Sequence, residues 1–125
     1  MREYLQFYID GQWVDPVEPK TLDVINPATE KVAGKISLGS AADVDKAVKA
    51  AKKAFVTWSQ TTREERLDDL GRILTEYQKR FGDLAVAVTE EMGAPANLAQ
   101  RAQVPIGMGH LGTAVAVLKD YKFTE

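Results

Sequence analysis

The sequence predicts an α+β fold in which N-terminal β-hairpins are followed by about four α-helices. Apolar and polar residues alternate in the first third of the chain, whereas from Ser40 onward the apolar period lengthens to about 3.6 residues. Helix start signals, each a hydroxyl residue followed three positions later by an acid, occur at Ser40 and Thr62. We therefore expect hairpin strands at 1–39 and helices at 40–121.

The first hairpin is predicted around the turn Asp10-Gly11. Before the turn, Phe7 and Ile9 alternate with more polar neighbours. Asp-Gly between such segments is the strongest short hairpin signal, because the central residues of the turn adopt positive φ. The segment 15–19 contains two prolines, cannot donate fully to a strand ladder, and is predicted to be a loop.

A second strand pair with a longer connection is predicted from two apolar segments. These segments, 21–25 and 31–38, are rich in Val, Ile and Leu. Asn26-Pro27-Ala28-Thr29 lies between them, and its residue types favour a turn.

The helical region carries three apolar stripes and then one long helix. The first stripe follows Ser40, the second follows Thr62, and the third ends at Gly93, a residue typical of helix ends. The last helix is expected from about residue 96 to 121. In order, the stripe residues are Val44, Ala47, Val48, Ala51, Phe55 and Trp58, then Leu67, Leu70, Leu74, Tyr77 and Phe81, then Leu84, Val88 and Met92.

The last helix contains GMGHLG (107–112), a literal match to the G-x-G-x-x-G pattern of dinucleotide-binding turns. Such a turn needs a strand before the glycines and an acid about 20 residues later. Here good helix formers precede the motif, and apolar residues at helical spacing continue through it. We therefore predict a helix that Pro105 kinks, with Gly107, Gly109 and Gly112 as points of close approach to another element.

Few other residues suggest a catalytic or binding role. His110 is the only histidine, and no serine lies at a spacing that suggests pairing, so a structural role is favoured. Cysteine is absent, which excludes disulfides and a thiolate nucleophile within these 125 residues. Glu90 and Glu91 lie near a helix C-terminus, where negative charge opposes the helix dipole, and either a cation or surface exposure would account for them.

Charge and hydropathy also limit the partners. A net charge of −2 argues against nucleic acid or an anionic membrane as a partner. The N-terminus lacks the apolar segment of a secretory signal, and no run approaches the ~20 apolar residues of a membrane span. The expected location is cytoplasmic.

Four stretches together resemble the N-terminal part of the aldehyde dehydrogenase superfamily, through their residues, order and spacing. The resemblance implies an α/β fold for a full-length member, with 1–125 as the N-terminal part of its NAD(P)-binding domain. The stretches are FYIDGQWVDP (7–16), LDVINPATEKVAGKISLGSAADVDKAVKAAKKAFVTW (22–58), TTREERLDDLGRIL (61–74) and EEMGAP (90–95).

The resemblance implies an oxidoreductase that converts an aldehyde to a carboxylic acid with NAD or NADP. In the family, a cysteine thiolate attacks the carbonyl, hydride passes to the nicotinamide, and a glutamate-activated water releases the acid. These groups lie later in family members than residue 125. This chain alone is therefore expected to be inactive and to bind no cofactor. Its expected partners are the missing C-terminal part of a homo-oligomeric enzyme or a second copy, through exposed apolar surface.

The resemblance also implies a site for a structural monovalent cation. Many relatives bind it with backbone carbonyls just before the Asn-Pro turn and with an acidic side chain at the end of the third helix. The matching positions are Val24 and Ile25 for the carbonyls and Glu91 for the carboxylate. Oxygen ligands suit a hard cation. The remaining family ligand lies beyond residue 125, so the site would be incomplete in this chain.

Two other interpretations stay open. A stand-alone structural or interaction module derived from the family would fold cooperatively as a monomer or show a defined self-association. A nucleotide-binding domain would instead use the GMGHLG glycines.

Overall fold

In the computed structural model, which describes residues 2–123, strands come first and helices follow, which confirms the predicted α+β class. The chain divides into two units, Met1–Gln60 and Thr61–Glu125. All the described strands and one helix belong to the first unit, and the second unit is helical. None of the helices within 2–123 combines the length and apolar character needed to cross a bilayer.

Strands β2 (Phe7–Ile9) and β3 (Gln12–Val14) form the predicted antiparallel hairpin. Asp10 and Gly11, the two turn residues, have positive φ angles of 52° and 79°. Positive φ at both central positions matches the right-handed twist of the flanking strands. The Asp-Gly signal therefore identified both the turn and its position.

Strands β1 (Arg2–Tyr4), β4 (Thr21–Asn26) and β5 (Lys31–Ser37) form a second sheet in the order β1-β5-β4. The antiparallel pairing of β4 with β5 is the predicted second strand pair. The parallel pairing of β1 with β5 was not predicted. Gly34 accommodates this neighbour, because a Cβ at that position would lie only 2.9 Å from the carbonyl oxygen of Arg2.

Helix α1 (Ala41–Trp58) begins with the capping box that the sequence predicts. Asp43 Oδ2 accepts hydrogen bonds from the backbone N–H and hydroxyl of Ser40, at 2.9 and 2.8 Å. Asp43 Oδ1 accepts from the backbone N–H of Val17, at 2.9 Å. Asp43 is buried, so one carboxylate both caps the helix and fastens the preceding loop to it.

The second unit begins with a capping box at Thr62 and consists of consecutive helical segments. The irregularity expected at Pro105 takes the form of a π-helical turn directly before it, because proline removes one ladder N–H. The segments are α2 (Arg63–Lys79), α3 (Phe81–Met92), α4 (Ala96–Leu98), the π-helical turn (Ala99–Gln103) and α5 (Val104–Asp120).

Side chains from α2 hold it to α5 at both of its ends. Near the start of α2, the Arg63 guanidinium donates to the carbonyl oxygens of Lys119 and Tyr121, at 3.2 and 2.6 Å. Near its other end, the Tyr77 hydroxyl donates to the carbonyl oxygen of Val104, at 2.8 Å. The Arg63 hydrogen bonds satisfy carbonyls at the C-terminal end of α5, where no further helical N–H follows.

The hydrophobic core of the described chain is small and lies in the second unit. Its buried members are Ala85, Ala99 and Val104, and partly buried Tyr77, Phe81, Leu84 and Val88 pack against them. Within 2–60, no apolar side chain is buried.

The apolar stripe of α1 is exposed, although such a stripe ordinarily faces a core. Phe55 is 63% exposed, and Val44, Val48 and Trp58 are exposed as well. Within its unit, α1 packs against β2. Helical periodicity therefore identified the stripe correctly but did not show what covers it.

The chain exposes more surface than its mass requires. Its accessible surface is 9415 Å². Two separate compact proteins, each of half its 13.8 kDa mass, would together expose about 8000 Å². The excess over two such compact proteins is roughly 1400 Å².

Candidate functional site

The GMGHLG segment (107–112) lies inside α5 and forms no turn. It is preceded by the π-helical turn and not by a strand. A dinucleotide site of this type needs backbone N–H groups at the start of a helix, whereas these N–H groups lie within one. The prediction of a helix is confirmed, and the segment does not have the geometry to cradle a pyrophosphate.

The three glycines of this segment differ in their surroundings. A Cβ at Gly107 would collide with the Tyr77 hydroxyl and lie 3.1 Å from Cζ of that ring. This confirms the predicted close approach at Gly107. The same prediction is wrong for Gly109 and Gly112, since no atom of a neighbouring element lies within 4 Å of a Cβ built there.

Val24 and Ile25, the expected carbonyl ligands of a cation, lie on β4 just before the Asn-Pro turn. The strand register shifts between these two residues, and the pairing skips Ala33 of β5. The side chain of Asn26 caps the turn, because its Oδ1 accepts from the backbone N–H of Ala28 at 2.8 Å. The backbone is therefore irregular where the carbonyl ligands are expected.

Glu91, the expected carboxylate ligand, lies in the last turn of α3 and is exposed. The helix ends at Gly93, which adopts a left-handed conformation with φ 68°. Val24 and Ile25 belong to the first unit and Glu91 to the second. The cation site remains a prediction.

Within 2–123, no three His, Cys, Asp or Glu side chains form a group that could hold a metal ion. His110 is exposed on α5.

The Asp43 carboxylate is the ionisable group that sequence reasoning underestimated. Its hydrogen bonds from the Ser40 backbone, then from the Val17 backbone and the Ser40 hydroxyl, lower its pKa below the ordinary value. The start signal identified the cap, but the contact with Val17 spans 26 positions and has no local signature. The role of Asp43 is to anchor the loop to α1.

A further candidate site is the α1 apolar surface, formed by the exposed side chains of Val44, Val48, Phe55 and Trp58. The lysines of α1 lie mainly on its other side, as Lys46, Lys49 and Lys53. A continuous exposed apolar stripe with a charged opposite face is typical of a packing interface. This surface can pack against another apolar surface.

Comparison with known proteins gives a consistent result. The chain matches the model of the aldehyde dehydrogenase family over residues 13–124. A 3-succinoylsemialdehyde-pyridine dehydrogenase from a Pseudomonas species is 49% identical over 126 residues. That match covers 100% of this chain and 26% of the relative, so the chain spans about a quarter of the length of the curated relatives it matches.

Solved structures agree with this match. An aldehyde dehydrogenase from Bartonella henselae superposes with a TM-score of 0.96 at 45% identity, covering 100% of this chain and 26% of that one. A variant of aldehyde dehydrogenase C from Pseudomonas syringae, complexed with NAD+ and octanal, gives a TM-score of 0.91 at 44% identity. That superposition covers 96% of this chain and 25% of the other.

Proposed function

Since the chain belongs to the aldehyde dehydrogenase family, we propose that it serves as the N-terminal quarter of an NAD(P)-dependent enzyme that oxidises an aldehyde to a carboxylic acid. The observation that carries this proposal is the coverage: the whole chain aligns with only 26% of its relative. Residues 1–125 then form the N-terminal part of the NAD(P)-binding domain. The proposed location is the cytoplasm, and the proposed assembly is a homo-oligomer.

We propose that the chain contributes no catalytic group. The 125 residues contain no cysteine, and the family chemistry requires a thiolate to attack the aldehyde carbonyl. The glycines of α5 do not form a nucleotide-binding turn, so NAD or NADP is held by other parts of the enzyme. The proposed role of the chain is to support the domain in which the cofactor binds.

The proposed partner of the α1 apolar surface is the remaining part of the enzyme. The excess exposed area of the whole chain, to which the α1 apolar surface contributes, is roughly 1400 Å², and one partner contributes about 800 Å² to a standard stable interface. Phe55 and Trp58 offer the large aromatic side chains that dominate interface energetics. A second copy of the chain would cover this surface only when the remaining part is missing.

A chimera tests this function. This chain replaces the corresponding N-terminal segment of the Pseudomonas 3-succinoylsemialdehyde-pyridine dehydrogenase, which is 49% identical to it. We expect the chimera to fold, to oligomerise as the parent does, and to reduce NAD or NADP in the presence of the parent's aldehyde. A folded chimera without activity would contradict the proposed role.

We also propose that the carbonyls of Val24 and Ile25 and the carboxylate of Glu91 bind a monovalent cation in the complete enzyme. The support is the irregular register beside the two carbonyls and the position of Glu91 near a helix end. In the chimera, Na+ or K+ should raise the melting temperature relative to choline at equal ionic strength. Glu91→Gln should remove that increase, whereas the adjacent Glu90→Gln should keep it.

A further inference from the structure

We propose that a groove across the junction of α2 and α3 binds an aliphatic carboxylate, with the carboxylate on Arg80 and the hydrocarbon tail on the groove floor. The two helices meet at Arg80, which ends α2 and precedes α3. This site lies wholly within the second unit. The proposal goes beyond the proposed function and does not depend on it.

The groove has the size and lining of a small-molecule site. Its volume is about 580 Å³, within the range of roughly 300–1000 Å³ that is typical of ligand pockets. Ile73, Tyr77 and Leu84 line it with apolar surface, and Ile73 is 51% exposed. Because these residues recur at helical spacing on one side of α2 and α3, they form a continuous apolar floor.

The charged side chains at the groove carry one more positive than negative charge, because Arg72, Lys79 and Arg80 stand against Asp69 and Glu76. Arg72 pairs with Asp69, and Glu76 pairs with Lys79 at 2.7 Å. The hydrogen bond and charge of Lys79, and to a smaller extent the charge of Arg80, lower the pKa of Glu76, which also lines the groove. Arg80 lines the groove and has no ion-pair or side-chain hydrogen-bond partner among residues 2–123.

The Arg80 guanidinium, which makes no ion pair or side-chain hydrogen bond within 2–123, lies beside the apolar floor, and this combination fits an aliphatic carboxylate. A guanidinium presents a planar fork of N–H donors that fits a carboxylate bidentately. The surplus of one positive charge suits a monoanion, and the apolar floor suits an alkyl chain. The Tyr77 side chain of the floor is held in place, because its hydroxyl donates a hydrogen bond to the carbonyl oxygen of Val104.

The test is isothermal titration calorimetry of the 125-residue chain with decanoate, decylammonium and acetate. Decylammonium keeps the tail and reverses the charge, whereas acetate keeps the charge and removes the tail. We expect decanoate to bind at least about tenfold more tightly than either, since a charge-assisted pair and a buried tail each contribute that much. Hexanoate should bind more weakly, by about fourfold for each methylene that the groove buries.

Variants locate the binding site. Arg80→Gln should weaken decanoate binding by about tenfold, because it removes the charged donor but keeps most of the side chain. Ile73→Ser should weaken it by a similar factor. The matched controls are Arg101→Gln, an exposed arginine outside the groove, and Val48→Ser on the α1 apolar surface, and neither should change the affinity. Circular dichroism of each variant verifies its fold.

Two results would overturn the proposal. One is equal binding of decanoate and decylammonium, which would indicate contact with apolar surface alone. The other is a loss of affinity in Val48→Ser together with unchanged affinity in a folded Arg80→Gln variant, which would place the ligand on α1. Failure of the chimera to turn over its aldehyde would leave this site unaffected.

Discussion

Tyr77 shows how one side chain determines what its neighbours can be. Its hydroxyl donates to the Val104 carbonyl, and its ring occupies the space that a side chain at position 107 would need. Gly107 is therefore required by packing, although glycine lowers helix stability. Gly109, one half-turn further on, has no such neighbour and only weakens the helix.

The two glycines give opposite stability predictions. Gly109→Ala should raise the free energy of unfolding by about 0.5–1 kcal/mol, through helix propensity alone. Gly107→Ala should lower it by about 1 kcal/mol, because the collision and the disturbed Tyr77 hydrogen bond outweigh the same gain in propensity. Urea denaturation of both variants measures the difference. Equal shifts would show that Tyr77 does not constrain position 107.

Asp43 predicts a pH dependence of stability. Its pKa is lowered in the folded chain, so its contribution is fully present above the unfolded pKa, about 4. The contribution is lost as the pH falls from there through the lower folded pKa. Asp43→Asn should destabilise the chain at neutral pH and flatten its stability profile below about pH 4.

The matched control for Asp43 is Asp45→Asn, which alters an exposed carboxyl on the same helix. Asp45→Asn should leave the loss of stability in acid unchanged. An acid profile that is unchanged in Asp43→Asn would show that the Ser40 and Val17 hydrogen bonds do not stabilise the carboxylate.

At the scale of elements, the sequence predicted the turns and caps that depend on neighbouring residues. It did not predict contacts between residues far apart in the chain. The Asp10-Gly11 turn and the caps at Ser40 and Thr62 were predicted because their hydrogen bonds span a few residues. The pairing of β1 with β5 joins Arg2 to Gly34, and no local pattern specifies such a contact. Periodicity could not identify the Arg80 groove either. The ion pairs between acidic and basic side chains around the groove are visible only in the structure.

The α1 helix gives a prediction that depends on context. Phe55→Ser should change the stability of the isolated chain by less than about 0.5 kcal/mol, since this side chain is largely exposed. It should also reduce binding of an apolar fluorescent dye. In the chimera the same change should cost about 3 kcal/mol, because the ring would be buried against the rest of the enzyme.

Lys49→Ser, on the other side of α1, is the control, and it should have little effect in either protein. Equal tolerance of Phe55→Ser in the chimera and in the isolated chain would mean that the enzyme does not cover the α1 surface.

At the scale of the whole molecule, one proposal accounts for both the small core and the large exposed surface: the remaining part of an enzyme covers this chain. Only four apolar residues within 2–123 are buried, and the surface exceeds that of two compact units by roughly 1400 Å². Folded proteins normally bury such surface, and the relatives are about four times as long as this chain. The sequence resemblance identified the family, whereas the excess of accessible area could be found only from the structure.

The most direct test measures the reduction of NAD and NADP by aldehydes with the purified chain, alone and mixed with the separately produced C-terminal remainder of the Pseudomonas relative. The account predicts no reduced nucleotide from the chain alone and aldehyde-dependent reduction in the mixture, with no activity from the remainder by itself. Turnover by the 125-residue chain alone would contradict the account.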